Sequence, residues 1–259
     1  MIKTLCFCCL TTLSFFSFAE NSDVNKSIMV KPFTAEYNII HKSSPVGKAV
    51  RTLKFLENGQ AKYSYETNIE WLIFSDIRHE ISTIDIKNNQ VIPNHYVYQR
   101  EGTGKDKFYE WRYDIENNKA IDMTNGREEQ VEFPVNIQDK LSYHLQNRLN
   151  LLANPEQKLF VYPVISTSGS IKNHVYQYDG EEELMLPYGL VKTIKLKREV
   201  IEKKRVTYAW FAPELNYLMV KLYQAKSGVE QFEAQLTNVT VNDDKAPAVT
   251  EKTAETVQD

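Results

Sequence analysis

The sequence predicts a mainly β protein: a strongly curved antiparallel sheet, or an open β-barrel, with one amphipathic helix on its concave face. Three observations carry this expectation. First, apolar and polar residues alternate with a period of two. In FTAEYNI (33–39), Phe33, Ala35, Tyr37 and Ile39 alternate with Thr34, Glu36 and Asn38. Successive side chains of a strand leave opposite faces, so this pattern marks a half-buried strand. Second, Asn58-Gly59, Asn88-Asn89, Asn117-Asn118 and Asn125-Gly126 punctuate the runs, and these residue types tolerate the positive φ of tight hairpins. Third, one segment, 136–152, breaks the period.

The chain begins differently from how it continues. Lys3 is the one charge in residues 1–19, an apolar run extends from Leu5 to Phe18, and Ser17-Phe18-Ala19 offers small residues for a cut after Ala19. This is the form of a Sec-type signal peptide, and a run of about 14 residues is short of the roughly 20 that span a bilayer. The alternative is a single N-terminal anchor. Cys6, Cys8 and Cys9 lie too early for lipidation and lack its leucine-small-small context. Cleavage near Ala19 removes all three cysteines, leaving the mature chain without disulfides, thiolate metal ligands or a cysteine nucleophile. The expected location is therefore periplasmic, with no transmembrane segment in the mature chain.

Residues 20–31 are polar and unpatterned, a lead-in. Residues 32–242 form the single β domain, and the polar stretch 243–259 reads as a disordered tail. Within the domain, alternating runs fall at 33–39, 48–56, 61–70, 77–86, 95–101, 107–115, 119–123 and 128–133, and again at 158–166, 173–180, 189–200, 205–212, 217–224 and 229–241. Sequential strands with short turns, and no alternating helices to carry parallel crossovers, argue for an antiparallel meander. Tyrosine is used 15 times, which suits a half-wet sheet face because the ring packs while the hydroxyl reaches a polar partner. An outer-membrane barrel would alternate as well, but both faces of 189–200 carry charge (Lys192, Arg198, Glu199). GEEEL (180–184) reads as a solvated hairpin.

The segment 136–152 is the predicted helix, with Asn136 as its cap and Asp139 favouring the positive end of its dipole. At 100° per residue, Ile137, Leu141, Leu145, Leu149, Leu151 and Leu152 share an arc of about 160°, and Asn154-Pro155 ends the pattern. Asp139, Ser142 and His144 suggest a catalytic triad, but on a helix Ser142 and His144 diverge by about 160–200° and cannot meet as nucleophile and base. His144 and Arg148 lie inside the apolar arc. Either they snorkel at its margin, or they point into a cavity and meet a buried carboxylate or the anionic head of a ligand. The candidate ligand-binding set is therefore His144, Arg148, Leu141, Leu145 and Leu149.

No other motif carries chemistry. GTGK (102–105) lacks the leading glycine of a phosphate loop and has Asp106 where Ser or Thr must follow; STSG (166–169) lacks the glycine of a nucleophile elbow. Both read as turns. His41, His79, His95, His144 and His174 form no close pair, so no metal site or cofactor is expected. A net charge of -3, with KLKREVIEKKR (195–205) interrupted by acids, argues against nucleic acid.

FTAEYNI, DKLSYHLQNRLNLL (139–152), LPYGLVKTIKLKR (186–198) and WFAPELNYLMVKLYQ (210–224) occur in an order that resembles the envelope family known as domain of unknown function 3108, over about 33–240. The resemblance implies a periplasmic β protein of Gram-negative bacteria. It also implies an architecture similar to lipoprotein carriers, whose curved sheet holds a helix over an apolar concavity, and to spiral β envelope proteins. No catalytic residue comes with the family. The expected function is non-enzymatic binding of an amphipathic envelope molecule: a lipid, an acyl chain or a lipoprotein segment. The leucine stripe could equally close a solid core. The alternative is an envelope assembly or integrity protein working through protein partners, with Trp111 and Trp210 as exposed interface anchors. A third reading, a hydrolase of glycan or peptide, needs titratable groups converging in a cleft.

Overall fold

The computed structural model describes residues 30–242, so the predicted leader at 1–19, nearly all of the lead-in and the tail from 243 lie outside it. Within it, each alternating run corresponds to one strand. The first eight are β1 (Phe33–His41), β2 (Ser44–Phe55), β3 (Ala61–Trp71), β4 (Phe74–Lys87), β5 (Gln90–Gly102), β6 (Lys107–Asp114), β7 (Lys119–Asp122) and β8 (Arg127–Gln130). The helix α1 (Ser142–Ala153) follows. Then come β9 (Leu159–Ile165), β10 (Ile171–Leu186), β11 (Gly189–Val200), β12 (Arg205–Ala212), β13 (Leu218–Lys226) and β14 (Val229–Val241).

All fourteen strands form one sheet in the order β8-β7-β6-β5-β4-β3-β2-β1-β14-β13-β12-β11-β10-β9. Every neighbour pair is antiparallel. Two meanders are joined where β1 pairs with β14, Phe33 opposite Val241 and Ile40 opposite Glu233. The sheet is open: β8 and β9 are its edges, and the chain between them carries α1.

The sheet is rolled, which one chain of hydrogen bonds demonstrates. The Val91 N–H donates to Gln146 Oε1 at 2.7 Å, Gln146 Nε2 donates to Asn150 Oδ1 at 2.8 Å, and Asn150 Nδ2 donates to Tyr162 Oη at 2.9 Å. Val91 lies on β5 and Tyr162 on β9, ten strand steps apart. Laid flat at about 4.8 Å per step, those strands would stand roughly 48 Å apart, whereas a helix is about 10–12 Å across. Register shifts between Glu36/Tyr37, Thr83/Ile84, Tyr178/Glu181 and Trp210/Phe211 supply the bends, since a bulge sharpens the local twist of its strand.

Inward-facing residues form one continuous core, with Leu53, Tyr63, Ile84, Tyr96 and Trp111 from the first meander and Phe160, Tyr176, Leu196, Phe211 and Leu236 from the second. Three expectations are corrected here. Residues 136–141 are not helical: Asn136 has φ 62°, and Gln138 bridges Val164 in parallel, its N–H to Pro163 O at 2.8 Å and its C=O to the Ile165 N–H at 2.9 Å. This segment covers the β9 edge that would otherwise present unpaired groups. Next, 180–184 is no hairpin but the bulged middle of β10. Finally, Trp111 and Trp210 are both buried. Trp111 faces inward opposite Tyr96. Trp210 lies under Lys195 and Lys221, and its Nε1 donates to Glu182 at 3.1 Å.

Candidate functional site

The turn into α1 begins on Asp139, which is fully buried. Its Oδ1 accepts from the N–H groups of Leu141 (2.8 Å) and Ser142 (2.7 Å), while its own N–H donates to Ser142 Oγ at 2.9 Å. This reciprocal pair three residues apart has the form of a capping box and satisfies donors that a helix start leaves open. Ser82 of β4 donates to the other carboxylate oxygen. Burial pushes the Asp139 carboxyl up, against these hydrogen bonds. The Asp139–Ser142 pair thus starts the helix, and the His144 ring stacks on Tyr143 at 4.1 Å.

Most of α1 is enclosed, on both faces. Leu141, Leu145, Leu149 and Leu151 pack into the core, and Ser142, Gln146 and Asn147 are as deeply buried. The buried polar side chains bond to their surroundings: Gln146 caps the β4–β5 turn at Val91 N and Asn89 O, and Asn147 Oδ1 accepts from Tyr162 Oη at 2.9 Å. Arg148 is buried too, with its Nε donating to Asn216 O at 2.8 Å, Nη2 to Leu215 O at 3.4 Å, and its guanidinium 4.9 Å from the Phe33 ring centre. The five residues singled out from sequence therefore sit on one enclosed helix and the turn before it. Leu141, Leu145 and Leu149 touch the core, and Arg148 holds the 213–217 turn.

Sequence reading missed the charged groups that the sheet brings to this helix. Arg51 on β2 is almost fully buried between the Tyr63 and Tyr65 rings, at 5.7 and 4.9 Å, and its Nε has no partner. Glu80 on β4 accepts from Tyr96 Oη at 3.0 Å; burial pushes its carboxyl up, against the pull of Lys140. The His144 imidazole is held well below its usual range by burial, then by Arg51, His174 and Arg198. His174 is pushed down to about 3 by burial, with Arg198, Lys140 and Lys203 adding to it. The signal in the sequence was an ionisable residue on the inward parity of a strand, Arg51 among Ala49 and Leu53 and Glu80 between Ser82 and Arg78, which the alternation rule ordinarily assigns to solvent.

An open cleft of about 1010 Å³ lies beside the start of α1, between β9–β10 and β11–β13. Lys140, Lys172, Arg198, Lys203 and Arg205 line it against two carboxylates, Glu199 and Glu202. Glu199 already pairs with Lys197 at 3.0 Å. Tyr143 and His174, their rings 4.9 Å apart edge to face, also line the cleft. His174 Nδ1 and Arg205 Nε are buried without partners. Lys140 extends from this cleft toward the first meander, its Nζ 5.4 Å from the Tyr98 ring centre. Among the described residues no three His, Asp or Glu side chains converge as a metal-ligand set, and no helix is long and apolar enough to cross a membrane.

The fold has a solved counterpart. A β-barrel-like protein of the domain of unknown function DUF1849 from Brucella abortus superposes with a TM-score of 0.56 at 8% identity, over 83% of this chain and 100% of that one. A DUF1089 family protein from Pseudomonas aeruginosa aligns at a TM-score of 0.32 and 12% identity, over 72% of this chain and 89% of that one. The first likeness establishes a shared open-barrel fold and nothing of activity. No curated protein matches the sequence. Residues 63–237, from the buried Tyr63 through α1 and the cleft to β14, match the family described as protein of unknown function, DUF3108, and the chain belongs to that family.

Proposed function

We propose that this is a periplasmic, non-enzymatic binding protein for an amphipathic envelope molecule with an anionic head. One observation carries the reading: the cleft beside α1 sets five cationic side chains against two carboxylates, one of them already paired. Cations left without counter-ions around an open volume attract an anion, and Arg in particular matches a carboxylate or phosphate with its fork. The volume falls at the top of the range for small-molecule sites, about 300–1,000 Å³. The same cleft is lined by Val164, Val175 and Val200, which suits the apolar portion of such a ligand. The head meets Lys140, Arg198 and Arg205. His144 stacks on Tyr143, which lines the cleft, while Arg148 and the leucines of α1 anchor the helix in the core.

The experiment is native mass spectrometry of the protein recovered from cells, followed by displacement of a fluorescent fatty-acid probe. Wild type is expected to carry an acidic amphiphile and to bind the probe. Lys140→Ala with Arg198→Ala is expected to lose at least tenfold in probe affinity at unchanged melting temperature. A clean mass with no probe binding, or equal binding by the double variant, removes the reading.

A further inference from the structure

The β3–β4 hairpin presents an apolar tip. Its tip is Trp71, Leu72, Ile73 and Phe74, exposed by 44%, 87%, 83% and 54%. Leu72 takes φ 57°, a conformation that is a genuine outlier for a bulky residue and that tight turns ordinarily give to Asn or Gly. Other turns give positive φ to Asn88-Asn89 (49° and 62°) and Ser227-Gly228 (52° and 77°), and also to Lys42, Lys204 and Tyr217 (48°, 48° and 53°), so what sets residues 72–73 apart is the exposure of their apolar side chains. The four apolar side chains gain little inside the fold; Trp71 rests edge-on against His41 at 5.3 Å. A strained turn that displays Leu and Ile to solvent calls for something outside the chain to cover it.

The charge distribution says what. A meander puts alternate turns at opposite ends, and the antiparallel β1–β14 pair places the β13–β14 turn at the end that carries the β1–β2 and β3–β4 turns. At that end the turn residues include Lys42, Lys105, Lys203 and Lys204 against Asp106 and Glu202. At the opposite end the turns between paired strands carry Glu57, Glu116 and Glu214 and no lysine. The lysine-rich end also exposes Ile201 and Val229 and opens onto the cleft through residues 166–170 and 201–203.

We propose that this end of the sheet docks on the surface of an anionic lipid bilayer. Leu72 and Ile73 enter the acyl boundary, Trp71 and Phe74 lie at headgroup depth, and the turn lysines face the phosphates. An apolar tip ringed by lysines binds such a surface by adding burial to electrostatic attraction, and Trp favours the interface because its ring is apolar and its N–H polar. The inference goes beyond the ligand-binding reading and stands without it. It also brings the mouth of the basic cleft to the membrane.

The test is co-sedimentation of the full chain with phosphatidylglycerol/phosphatidylethanolamine vesicles, against phosphatidylcholine vesicles, at low and high salt. Trp71 is the exposed one of three tryptophans, so its fluorescence is expected to shift to the blue on binding. Leu72→Asn with Ile73→Gly gives the turn ordinary hairpin chemistry. It is expected to lower binding to the anionic vesicles at least tenfold while leaving the melting temperature equal or higher. Lys105→Glu with Lys204→Glu, two lysines outside both the cleft lining and the Leu72 turn, is expected to weaken binding and flatten its salt dependence. Each variant keeps the same N-terminal segment as wild type, so differences report on the hairpin and the lysines. The proposal is overturned if wild type ignores anionic vesicles, or if Leu72→Asn/Ile73→Gly binds them equally. It is equally overturned if wild type is a dimer that this variant dissolves, which would assign the hairpin to a second copy. Loss of vesicle binding with fatty-acid probe binding intact separates this docking from the cleft.

Discussion

Asp139 and Ser82 are 57 residues apart in sequence and hydrogen-bonded in the fold, the hydroxyl donating to the carboxylate. The contact ties the start of the one helix to the fourth strand. Asp139→Ala orphans the buried N–H groups of Leu141 and Ser142 as well as the Ser82 hydroxyl, and each unsatisfied group costs about 1–3 kcal/mol. A loss of about 2–4 kcal/mol is expected, less than the sum because water reaches part of the gap. Asp139→Asn keeps an acceptor for both N–H groups and should stay within about 1 kcal/mol of wild type. Urea unfolding monitored by circular dichroism measures both. Equal losses for the two variants would mean that the charge, not the cap, matters.

Gln146 latches the helix to the β4–β5 turn, accepting from the Val91 N–H and donating to Asn89 O at 3.0 Å. Gln146→Ala leaves a buried backbone donor unpaired, at about 1–3 kcal/mol. Amide exchange locates the effect: the Val91 N–H should lose protection by more than the global change, while the Leu236 N–H at the β14 side of the sheet should follow the global change alone.

The strands were legible because each obeys one local rule, alternation, and the two-residue turns carry their own residue chemistry. Phe33, Ala35, Tyr37 and Ile39 all face the core, as the period requires. The helix was legible in its leucines but not in its start. Asn136 looked like a cap, yet it is held at φ 62° by the bridge that Gln138 makes to Val164, a partner 26 residues on that no local pattern reveals. The polar side chains of α1 were equally opaque. Ser142, Gln146 and Asn147 fall outside the apolar arc, and they are buried because the rolled sheet encloses the helix and offers them Asp139, Val91 and Tyr162. The basic cleft joins Lys140, Arg198 and Arg205 from segments far apart in sequence, so only the topology assembles it.

Arg148 stacks on Phe33 and grips the carbonyls of Leu215 and Asn216. Two carbonyls beside an aromatic face suit a planar fork that Lys lacks. Arg148→Lys is expected to cost about 1.5–3 kcal/mol, the range for hydrogen bonds to a charged group. Arg148→Met keeps much of the stacked length and removes the buried charge, so it should lose less than Arg148→Lys. Thermal unfolding of the three proteins side by side decides the order; a Lys variant as stable as wild type would show that the carbonyl contacts contribute nothing.

The buried imidazoles set the response to acid. His144 and His174 are both depressed, His174 to about 3, by burial and by the cations Arg51, Arg198, Lys140 and Lys203 around them. A depressed group contributes stability that is present above its unfolded value, 6.5, and is lost as pH falls toward the folded one. Asp139 and Glu80 oppose this. Their carboxyls are raised above 3.8 and 4.5, so their contribution is fully present below those values and fades as pH rises through the raised ones. Between pH 7 and 5 the unfolded chain takes up protons on both imidazoles that the folded chain refuses, a loss of stability with falling pH that the raised carboxyls oppose. The melting temperature of wild type is therefore expected to fall over that interval. His144→Gln with His174→Gln removes both refused protons, leaving the carboxyls to set the slope, so its melting temperature should hold level or rise slightly from pH 7 to pH 5. If the double variant instead loses as much as wild type, the acid sensitivity belongs to groups other than these two rings.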